Sequence, residues 1–234
     1  MACIHYRNMY AMSQSVKSRR RYDSPRRREQ ARETRRAVLE AARDLFLALG
    51  YAKTTMAAVA KKAGVSVETV YKAFGNKARL AKAVFDVAIV GDDEPVPMLQ
   101  RERVAKMRRE PNPRKKLRMY GEHLAEAGPR AGRLQLLIRS AAATHPDASV
   151  IWDQMVQERL IGMTAFASHL HEEGHLRPGV SLEEARDILW TYNSVELFDL
   201  LVVQQGWDPE RYGAWIAEAM IAALLPDAPD SSKQ

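Results

Sequence analysis

Residues 54–80 constrain the fold of this chain most, because they contain two short helical patterns separated by one glycine. Thr54 and Thr55 can cap the first helix, since a threonine oxygen accepts the free backbone N–H groups at a helix start. Gly64 ends that helix, because glycine takes the left-handed conformation without strain. Ser66 can cap the second helix. Two short helices joined by a tight turn form the unit that places its second helix in a DNA major groove.

An ordered set of residues extends this pattern upstream and downstream of the turn. Its members are Ala41, Ala42, Leu45, Phe46, Gly50, Tyr51, Thr54, Thr55, Val59, Ala60, Ala63, Gly64, Val65, Ser66, Thr69, Val70, Tyr71, Phe74 and Lys77. The set covers about a fifth of the chain. It resembles the DNA-binding segment of the tetracycline-repressor (TetR) family of bacterial regulators. The resemblance implies a double-stranded DNA operator as a partner.

Three residues of this segment are expected to contact DNA phosphates. Thr55 stands at a helix N-terminus, where its hydroxyl and backbone N–H can bind an anion. The resemblance to the TetR family assigns Tyr71 and Lys77 to the same task. Phosphate contacts position a protein on the duplex, whereas contacts to base edges select the sequence. The structural alternatives are that Thr55 only caps its helix and that Tyr71 only packs between helices.

The second helix of the pair supplies the candidates that read base edges. They are Val67, Glu68, Thr69 and Lys72, and Ser66 at the helix start is a further DNA-binding candidate. Lysine suits guanine acceptors, glutamate accepts from the cytosine amine, and apolar groups meet the thymine methyl. Glu68 departs from the small residue that TetR proteins often have at this position. An acidic side chain near DNA lowers the affinity unless a base amine or Lys72 pairs with it. Glu68 is therefore the least typical residue of this DNA-binding segment.

The basic residues of the chain are concentrated around this segment. Residues 1–90 carry 19 Lys and Arg against 7 Asp and Glu, whereas residues 91–234 carry 17 against 22. A basic module joined to a mildly acidic remainder is the charge distribution expected of a nucleic-acid reader attached to a second functional unit.

Composition argues against several other classes of protein. A hydrophobic content of 46% is ample for a core, and no run of about eighteen apolar residues predicts a membrane span. Polar residues interrupt the apolar start of the chain, so no signal peptide is expected. Cys3 is the single cysteine, which excludes a disulfide framework and a cysteine-based zinc site. We therefore expect a cytoplasmic protein.

Hydrophobic periodicity and its breaks predict an all-α chain of about nine or ten helices. An N-terminal helix-turn-helix, three-helix DNA-binding domain would precede a C-terminal helical ligand-binding and dimerisation domain. The predicted parts are a disordered basic tail at 1–29, the DNA-binding domain at 30–90 with its helix-turn-helix at 55–74, a linker at 91–97, the effector and dimerisation domain at 98–226, and a disordered tail at 227–234. The arginine-rich first tail is either solvated or an arm that follows phosphates or enters the minor groove.

Glycine and proline positions predict where the individual helices begin and end. Besides the two of the helix-turn-helix, the expected helices span about 30–49, 77–90, 98–109, 114–127, 131–143, 148–173, 181–205 and 208–225. The last two have wide apolar faces, and TetR proteins pair the corresponding helices across a two-fold axis. A reader with one short recognition helix also gains affinity from a second copy. We therefore expect a homodimer formed through the last two helices.

Aromatic, methionine and polar residues in the second half are candidates for an effector pocket. The resemblance implies that the corresponding helices enclose a small-molecule effector, here of unknown identity and of apolar or amphipathic character. The candidate residues are Tyr120, His123, Trp152, Met155, Phe166 and Asn193. Each of them could instead be ordinary core packing. Buried polar side chains such as Asn193 or Glu196 would favour a pocket, because an unpaired buried polar group is costly.

Residues 171–175, with the sequence His-Glu-Glu-Gly-His, match the letter pattern H-E-x-x-H of zinc proteases. Gly174 and Pro178 predict that the helix ends inside this pattern, which leaves His175 beyond the last turn. A zinc site also needs a third, rigidly held protein ligand. We expect a solvated helix end and no catalytic residues, metal ligands or cofactor. The alternatives are zinc catalysis and a regulatory metal site that also uses His169.

These features together predict a DNA-binding transcriptional regulator, and a ligand-responsive repressor in particular. It would bind a pseudo-palindromic operator as a dimer, and a small effector would release it by moving the two readers out of register. The alternative is an effector-independent helix-turn-helix repressor. A pocket region filled by side chains would favour that alternative.

Overall fold

The computed structural model describes residues 25–227, and every regular element within that range is helical. The all-α fold predicted from the sequence is therefore confirmed. No helix in this range is long and apolar enough to cross a membrane. The tail predicted at 1–29 lies outside the described residues up to residue 24, and the tail predicted at 227–234 lies outside them from residue 228.

Four helices form the N-terminal half of the described chain. They are α1 (Pro25–Lys53), α2 (Met56–Ala63), α3 (Val67–Phe74) and α4 (Lys77–Val90). Helix α1 begins at Pro25, within the tail predicted at 1–29. Proline suits this position, since the first N–H groups of a helix have no partner inside it. Gly50 interrupts the helical run of α1 with a φ of 77°.

One apolar core holds these four helices together. Phe46, Val59, Val70 and Leu80, one from each helix, are fully enclosed. Burying a side chain of this size contributes about 1.5–3 kcal/mol. Helices as short as α2 and α3 are marginal alone in water, so this shared core is what keeps them folded.

The remaining helices form the C-terminal half. After a 3-10 turn (Met98–Gln100) come α5 (Glu102–Arg109), α6 (Pro113–Ala142), α7 (Pro146–Glu172), α8 (Leu182–Tyr192), α9 (Val195–Phe198) and α10 (Pro209–Leu224). The helix expected over 98–109 is thus shorter and preceded by the 3-10 turn. The long helix α6 packs along α10, along α7 and against α4, so it joins the two halves.

Helix α6 is continuous across Pro129, where the sequence predicts a gap between two helices. A proline in a helix interior costs about 3 kcal/mol, because it removes a backbone N–H and crowds the preceding turn. The ring of Phe198 packs against the helix at Gly128 and Gly132, where any side chain would collide with it. Tertiary packing on both sides of the proline therefore keeps the helix intact.

The single helix predicted over 181–205 is broken at Asn193 and Ser194. The backbone of Ser194 is extended, with a ψ of 144°, before helical structure restarts at Val195. Asparagine and serine compete with a helix for its backbone hydrogen bonds, which favours breaks and caps. Residues Asp199–Gln204 then form a π-helical turn, a rare and wide form of helix that is frequent at functional sites.

Candidate functional site

Hydroxyl caps and a left-handed glycine fix the helix-turn-helix. The Thr55 hydroxyl accepts the backbone N–H of Ala58 at 3.1 Å at the start of α2. Gly64 ends α2 with a φ of 68°. The Ser66 hydroxyl accepts the N–H of Thr69 at 3.1 Å and so caps α3. Because each cap satisfies a backbone group that would otherwise lack a partner, the orientation of α3 is set by local chemistry.

Helix α3 has one buried face and one open face. Val70 and Phe74 lie in the core, whereas Val67 and Tyr71 are 38% and 50% exposed. Glu68 and Lys72 share the open face with them. The structure therefore brings most of the predicted DNA-reading side chains onto one surface of one helix.

Two of the predicted DNA-reading residues have a setting that the sequence did not reveal. Thr69 is half-buried, and its hydroxyl lies 3.0 Å from that of Ser66. In the part of the chain that the structure describes, Glu68 forms no ion pair with Lys72. The carboxylate of Glu68 is therefore available to a base amine, which is the arrangement that would make an acid useful on this surface.

Lys77 points inward rather than away from the protein. Its ammonium donates to the backbone oxygen of Tyr51 at 2.8 Å and lies 4.2 Å from the centroid of the Tyr51 ring. Burial lowers the pKa of Lys77, and Asp147 opposes that shift. A contact from Lys77 to phosphate stays a prediction, and it would compete with these internal contacts.

Tyr51 joins the helix-turn-helix half to α7. Its hydroxyl donates to the Asp147 carboxylate at 2.9 Å, and the His145 ring meets it edge-on at 5.2 Å. Burial and the bond to Asp147 raise the pKa of Tyr51, so the hydroxyl keeps its proton. The end of α1, the start of α4 and the start of α7 therefore meet at one side chain.

Helix α4 is tied to the C-terminal half along its whole length. Arg130 of α6 donates to the backbone oxygens of Ala88 and Ile89, at 3.0 and 3.4 Å, in the last turn of α4. Lys82 bridges to Glu158 of α7 at 2.8 Å. These contacts were not predicted, because they join residues that are far apart in the sequence. Together with the Tyr51–Asp147 bond, they connect α4 and α1 to the C-terminal half.

Removal of the Tyr51 hydroxyl is expected to loosen this junction. In a double-mutant cycle of Tyr51→Phe and Asp147→Ala, we expect a coupling of about 1 kcal/mol in the free energy of unfolding, since the bond is made to a charged but exposed group. Urea denaturation measures it. Tyr71→Phe, which removes an exposed hydroxyl, is the matched control and should change nothing. A coupling energy near zero would mean that the hydroxyl–carboxylate bond does not hold the junction.

The six predicted effector residues fall into two separate groups. Tyr120, His123, Phe166 and Asn193 surround or adjoin one another in the C-terminal core, with the Tyr120 and Phe166 rings 5.4 Å apart. Trp152 and Met155 belong instead to the core that packs against α4. Two surface cavities open elsewhere, one of about 450 Å³ along α8 and one of about 250 Å³ between α6 and the π-helical turn.

Arg159 is a polar residue of this region that the sequence reasoning missed. It lies on the inward face of α7, four residues after Met155 and four before Met163. A charged residue at this apolar spacing was the sequence signal that could have identified it. Its guanidinium lies 4.6 Å from the centroid of the Trp190 ring and donates to the backbone oxygen of Asn193 at 3.3 Å. Burial lowers the pKa of Arg159, and the nearby Glu196 opposes that shift.

The last two predicted helices carry an aromatic surface. The Trp215 ring meets the rings of Tyr192 and Trp207 edge-on, at 6.2 and 6.0 Å. Trp215 is 41% exposed, and Leu200 is also exposed. Exposed apolar side chains in a contiguous group mark a protein interaction surface more often than they mark open solvent.

The zinc-protease letter pattern has the ending that the sequence predicts. Helix α7 ends at Glu172, and Gly174 follows with a φ of 67°. His169, one turn earlier, lies 2.6 Å from the ammonium of the buried Lys116 and 3.0 Å from the backbone oxygen of Arg108. Within residues 25–227, no group of three or more metal-ligating side chains comes together.

Comparison with known proteins matches the N-terminal half by sequence. The family model "Bacterial regulatory proteins, tetR family" matches residues 38–84. The chain is 44% identical over 61 residues to the HTH-type transcriptional regulator TtgR of Pseudomonas putida, which is 26% of this chain and 29% of that protein. The probable HTH-type transcriptional regulator ArpR of Pseudomonas putida matches to the same extent. The chain thus spans less than a third of the length of these curated relatives.

Solved structures match the fold over most of the chain. NalD, the secondary repressor of the MexAB-OprM multidrug efflux pump in Pseudomonas aeruginosa, has a TM-score of 0.61 at 21% identity and covers 86% of this chain and 100% of its own. A SmeT–triclosan complex has a TM-score of 0.60 at 21% sequence identity, and the match covers 86% of this chain and 97% of that one. FadR of Bacillus subtilis in complex with stearoyl-CoA has a TM-score of 0.61 at 16% sequence identity, and the match covers 80% of this chain and 97% of that one. At these identities the likeness shows the shared fold.

Proposed function

We propose that this chain, whose residues 38–84 match the TetR family model, is a member of that family and a homodimeric, effector-responsive repressor of transcription. The observation that carries this proposal is the open face of α3. Val67, Glu68, Tyr71 and Lys72 share that face, and caps at both ends of the turn hold it in place. A helix presented in this way fits a major groove. The protein would act in the cytoplasm and would not be an enzyme.

The contacts of α4 support a route by which an effector could control the reader. Arg130 holds the end of α4, Lys82 ties its middle to α7, and Lys77 meets Tyr51 at its start. A shift of α6 or α7 would therefore move α4 and with it α3. In a dimer, such a shift changes the spacing of the two recognition helices against the two half-sites.

The aromatic surface formed by the end of α8, Trp207 and α10 supports a dimer formed there. Tyr192, Trp207 and Trp215 offer apolar area that a second copy could cover. This surface corresponds to the last two helices, which the sequence predicts as the dimer contact. A two-fold dimer also accounts for how one eight-residue recognition helix gains sufficient affinity.

An effector-independent repressor is the second candidate. The observation in its favour is that Tyr120 contacts both Phe166 and Met163 where a pocket is expected. Among the structural neighbours, SmeT is described with triclosan and FadR with stearoyl-CoA, which supports effector binding in this fold. The two candidates differ in whether any small molecule weakens DNA binding.

Selection of bound sequences from a random DNA library tests the proposed function. We expect a pseudo-palindromic site with two half-sites about one helical turn or a small multiple of it apart. Bound DNA should carry two copies of the chain, measured by light scattering of the complex. Enrichment of no sequence, or binding that is equal on all sequences, would contradict the proposal.

Lys72→Ala is expected to relax the preference at one base position of each half-site. The cost at that position should be about 1–3 kcal/mol, because a lysine that reads guanine is lost. Fluorescence anisotropy on the selected site and its single-base variants measures it. The control is Lys77→Ala, which removes an ammonium from a helix start. This variant should lower the affinity for all sequences alike, and the slope of log K against log salt concentration should become shallower by about one. An equal loss on all sequences for Lys72→Ala would make it a backbone contact only.

A further inference from the structure

Two hydrogen-bond donors in the C-terminal core are directed at a poor acceptor. The Tyr120 hydroxyl and the side-chain N–H of Asn193 both point at the sulfur of Met163, at 3.6 and 3.7 Å. A thioether sulfur accepts only weakly. Both donors are therefore close to unsatisfied, which is costly for groups removed from water.

Two further donors beside them have no partner among the described residues. The Nε of Arg159 and the indole Nε1 of Trp190 are both buried and unbonded within that part of the chain. Arg159 is linked directly to the same place, because its Nη1 donates to the backbone oxygen of Asn193 and its guanidinium covers the Trp190 ring. Two donors directed at Met163 and two unbonded donors are therefore connected through Asn193 and Arg159.

One acceptor in this region is also unpaired within residues 25–227. Glu196, at the start of α9, uses one carboxylate oxygen for Arg139 at 3.1 Å, while its second oxygen is buried and has no partner among these residues. A molecule that satisfied the whole set would need an acceptor group and, next to it, a hydroxyl or N–H. An ordered water could meet some of these bonds, since water bridges buried polar groups.

The charges in this region favour an anion over water. Arg159 and Arg139 carry two positive charges against the one negative charge of Glu196. Burial holds the pKa of His123 at about 4, so its imidazole adds no charge at neutral pH, and burial keeps Tyr120 protonated. One positive charge is left without compensation, and a half-buried charge is stabilised by an opposite charge.

We infer that the effector is an amphipathic carboxylic acid whose carboxylate binds between α7 and the break at Asn193–Ser194, with Arg159, Trp190 and Asn193 as donors. A hydroxyl or N–H on the same molecule would donate to Glu196. The apolar body would lie against Met163 and Phe166. This inference rests on the proposed function as an effector-responsive repressor.

The break between α8 and α9 suggests how binding at this site could change the position of α3. Asn193 lies between α8 and α9, and the π-helical turn follows directly. A carboxylate that drew Asn193 and Arg159 together would move α7 against α8. Because Lys82 and Tyr51 tie α7 to α4 and α1, that movement would reach α3.

A set of four ten-carbon probes tests the inference on the full-length protein. Decanoate, β-hydroxydecanoate, decanol and decylamine have the same chain and different headgroups. By calorimetry we expect decanoate to bind at least about tenfold more tightly than decanol, β-hydroxydecanoate to bind more tightly again, and decylamine to bind most weakly. Decanoate should also release the selected DNA site. Equal binding of decanoate and decanol, or no binding of any probe, would overturn the inference.

Variants of the donors locate the headgroup. Arg159→Gln is expected to abolish the preference for decanoate over decanol, because it removes the charge and not the apolar site. Trp190→Phe keeps the ring but loses the N–H, and should reduce the preference about threefold to tenfold even if Arg159→Gln does not fold. Arg118→Gln, at an exposed arginine that pairs with Glu218, is the control and should keep the full preference. A preference that persists in both donor variants would overturn the inference.

The two proposals fail in different ways. If only the inference about the effector is wrong, the protein will still select a DNA site but will show no headgroup preference among the probes. If the proposed function is wrong, the protein will select no DNA site, whichever probes it binds.

Discussion

Gly121→Ala is expected to lower the free energy of unfolding by about 2–3 kcal/mol, because α6 and α10 touch through their backbones at this point. A Cβ at position 121 would lie 2.3 Å from the backbone oxygen of Gly213 and 2.9 Å from the Cβ of Ala217. A backbone oxygen cannot rotate away, so the two helices would have to separate. The cost exceeds the gain of about 0.5–1 kcal/mol that alanine brings to a helix interior in place of glycine. Urea denaturation measures the change.

Gly162→Ala is the matched control for this substitution. Gly162 also lies within a long helix, α7, but a Cβ there would meet nothing within 4 Å. We expect alanine at this position to stabilise the protein by about 0.5–1 kcal/mol, since only the helix propensity changes. If both variants were stabilised, the close approach of α6 to α10 would be refuted.

Acid is expected to destabilise the protein through His123. Burial lowers the pKa of this side chain from 6.5 to about 4. Between these two values the unfolded chain binds a proton that the folded chain excludes, so stability falls as the pH is lowered from 6.5 towards 4. Above pH 6.5 the contribution is fully present. Over the whole window the loss amounts to up to about 3 kcal/mol.

A neutral replacement separates this effect from other acid titrations. His123→Gln carries no proton at any pH in the window, so its stability should fall less steeply than that of the unchanged protein. Urea denaturation of both proteins in steps across the window gives the difference. Parallel curves for the two proteins would mean that His123 titrates normally in the folded state.

The helix-turn-helix was predictable in detail because its signals are local. The caps Thr55 and Ser66 and the stop at Gly64 act on backbone groups only a few residues away. Apolar spacing within α3 was enough to assign Val70 to the core and Val67 to the open face. The half-buried position of Thr69 and the inward turn of Lys77 were missed, and the partner of Lys77, Tyr51, lies outside the helix pair.

The C-terminal helices were less predictable because packing overrode local signals there. Pro129 marks a break in the sequence, yet α6 continues through it against Phe198. No glycine or proline marks the break at Asn193, yet α8 ends there. Phe198 lies more than sixty positions from the two glycines that it packs against, and Arg159 lies thirty-four positions from Asn193, to which it donates; periodicity within one segment cannot register either contact.

The predicted effector residues were also only partly correct, because their positions depend on contacts between distant helices. Composition selected polar and aromatic residues on inward helix faces, and four of the six do lie together. It could not assign Trp152 to the other core, since both cores draw on α7. Composition also could not show that Arg159, Trp190 and Glu196 each have a polar atom without a hydrogen-bond partner in the described part of the chain. Hydrogen-bond partners depend on which residues are neighbours in three dimensions.

The sequence alone determined that this chain is all-α and that its basic N-terminal half contains a helix-turn-helix whose second helix is capped by Ser66. Those properties follow from helix caps, glycine stops, apolar spacing and charge, each of which acts within a few residues. Only the tertiary structure decided how α4 is held at Tyr51, Lys82 and Arg130, and where donors collect around Met163. Those properties arise where distant helices meet, so they depend on the summed packing of the whole molecule rather than on any one segment.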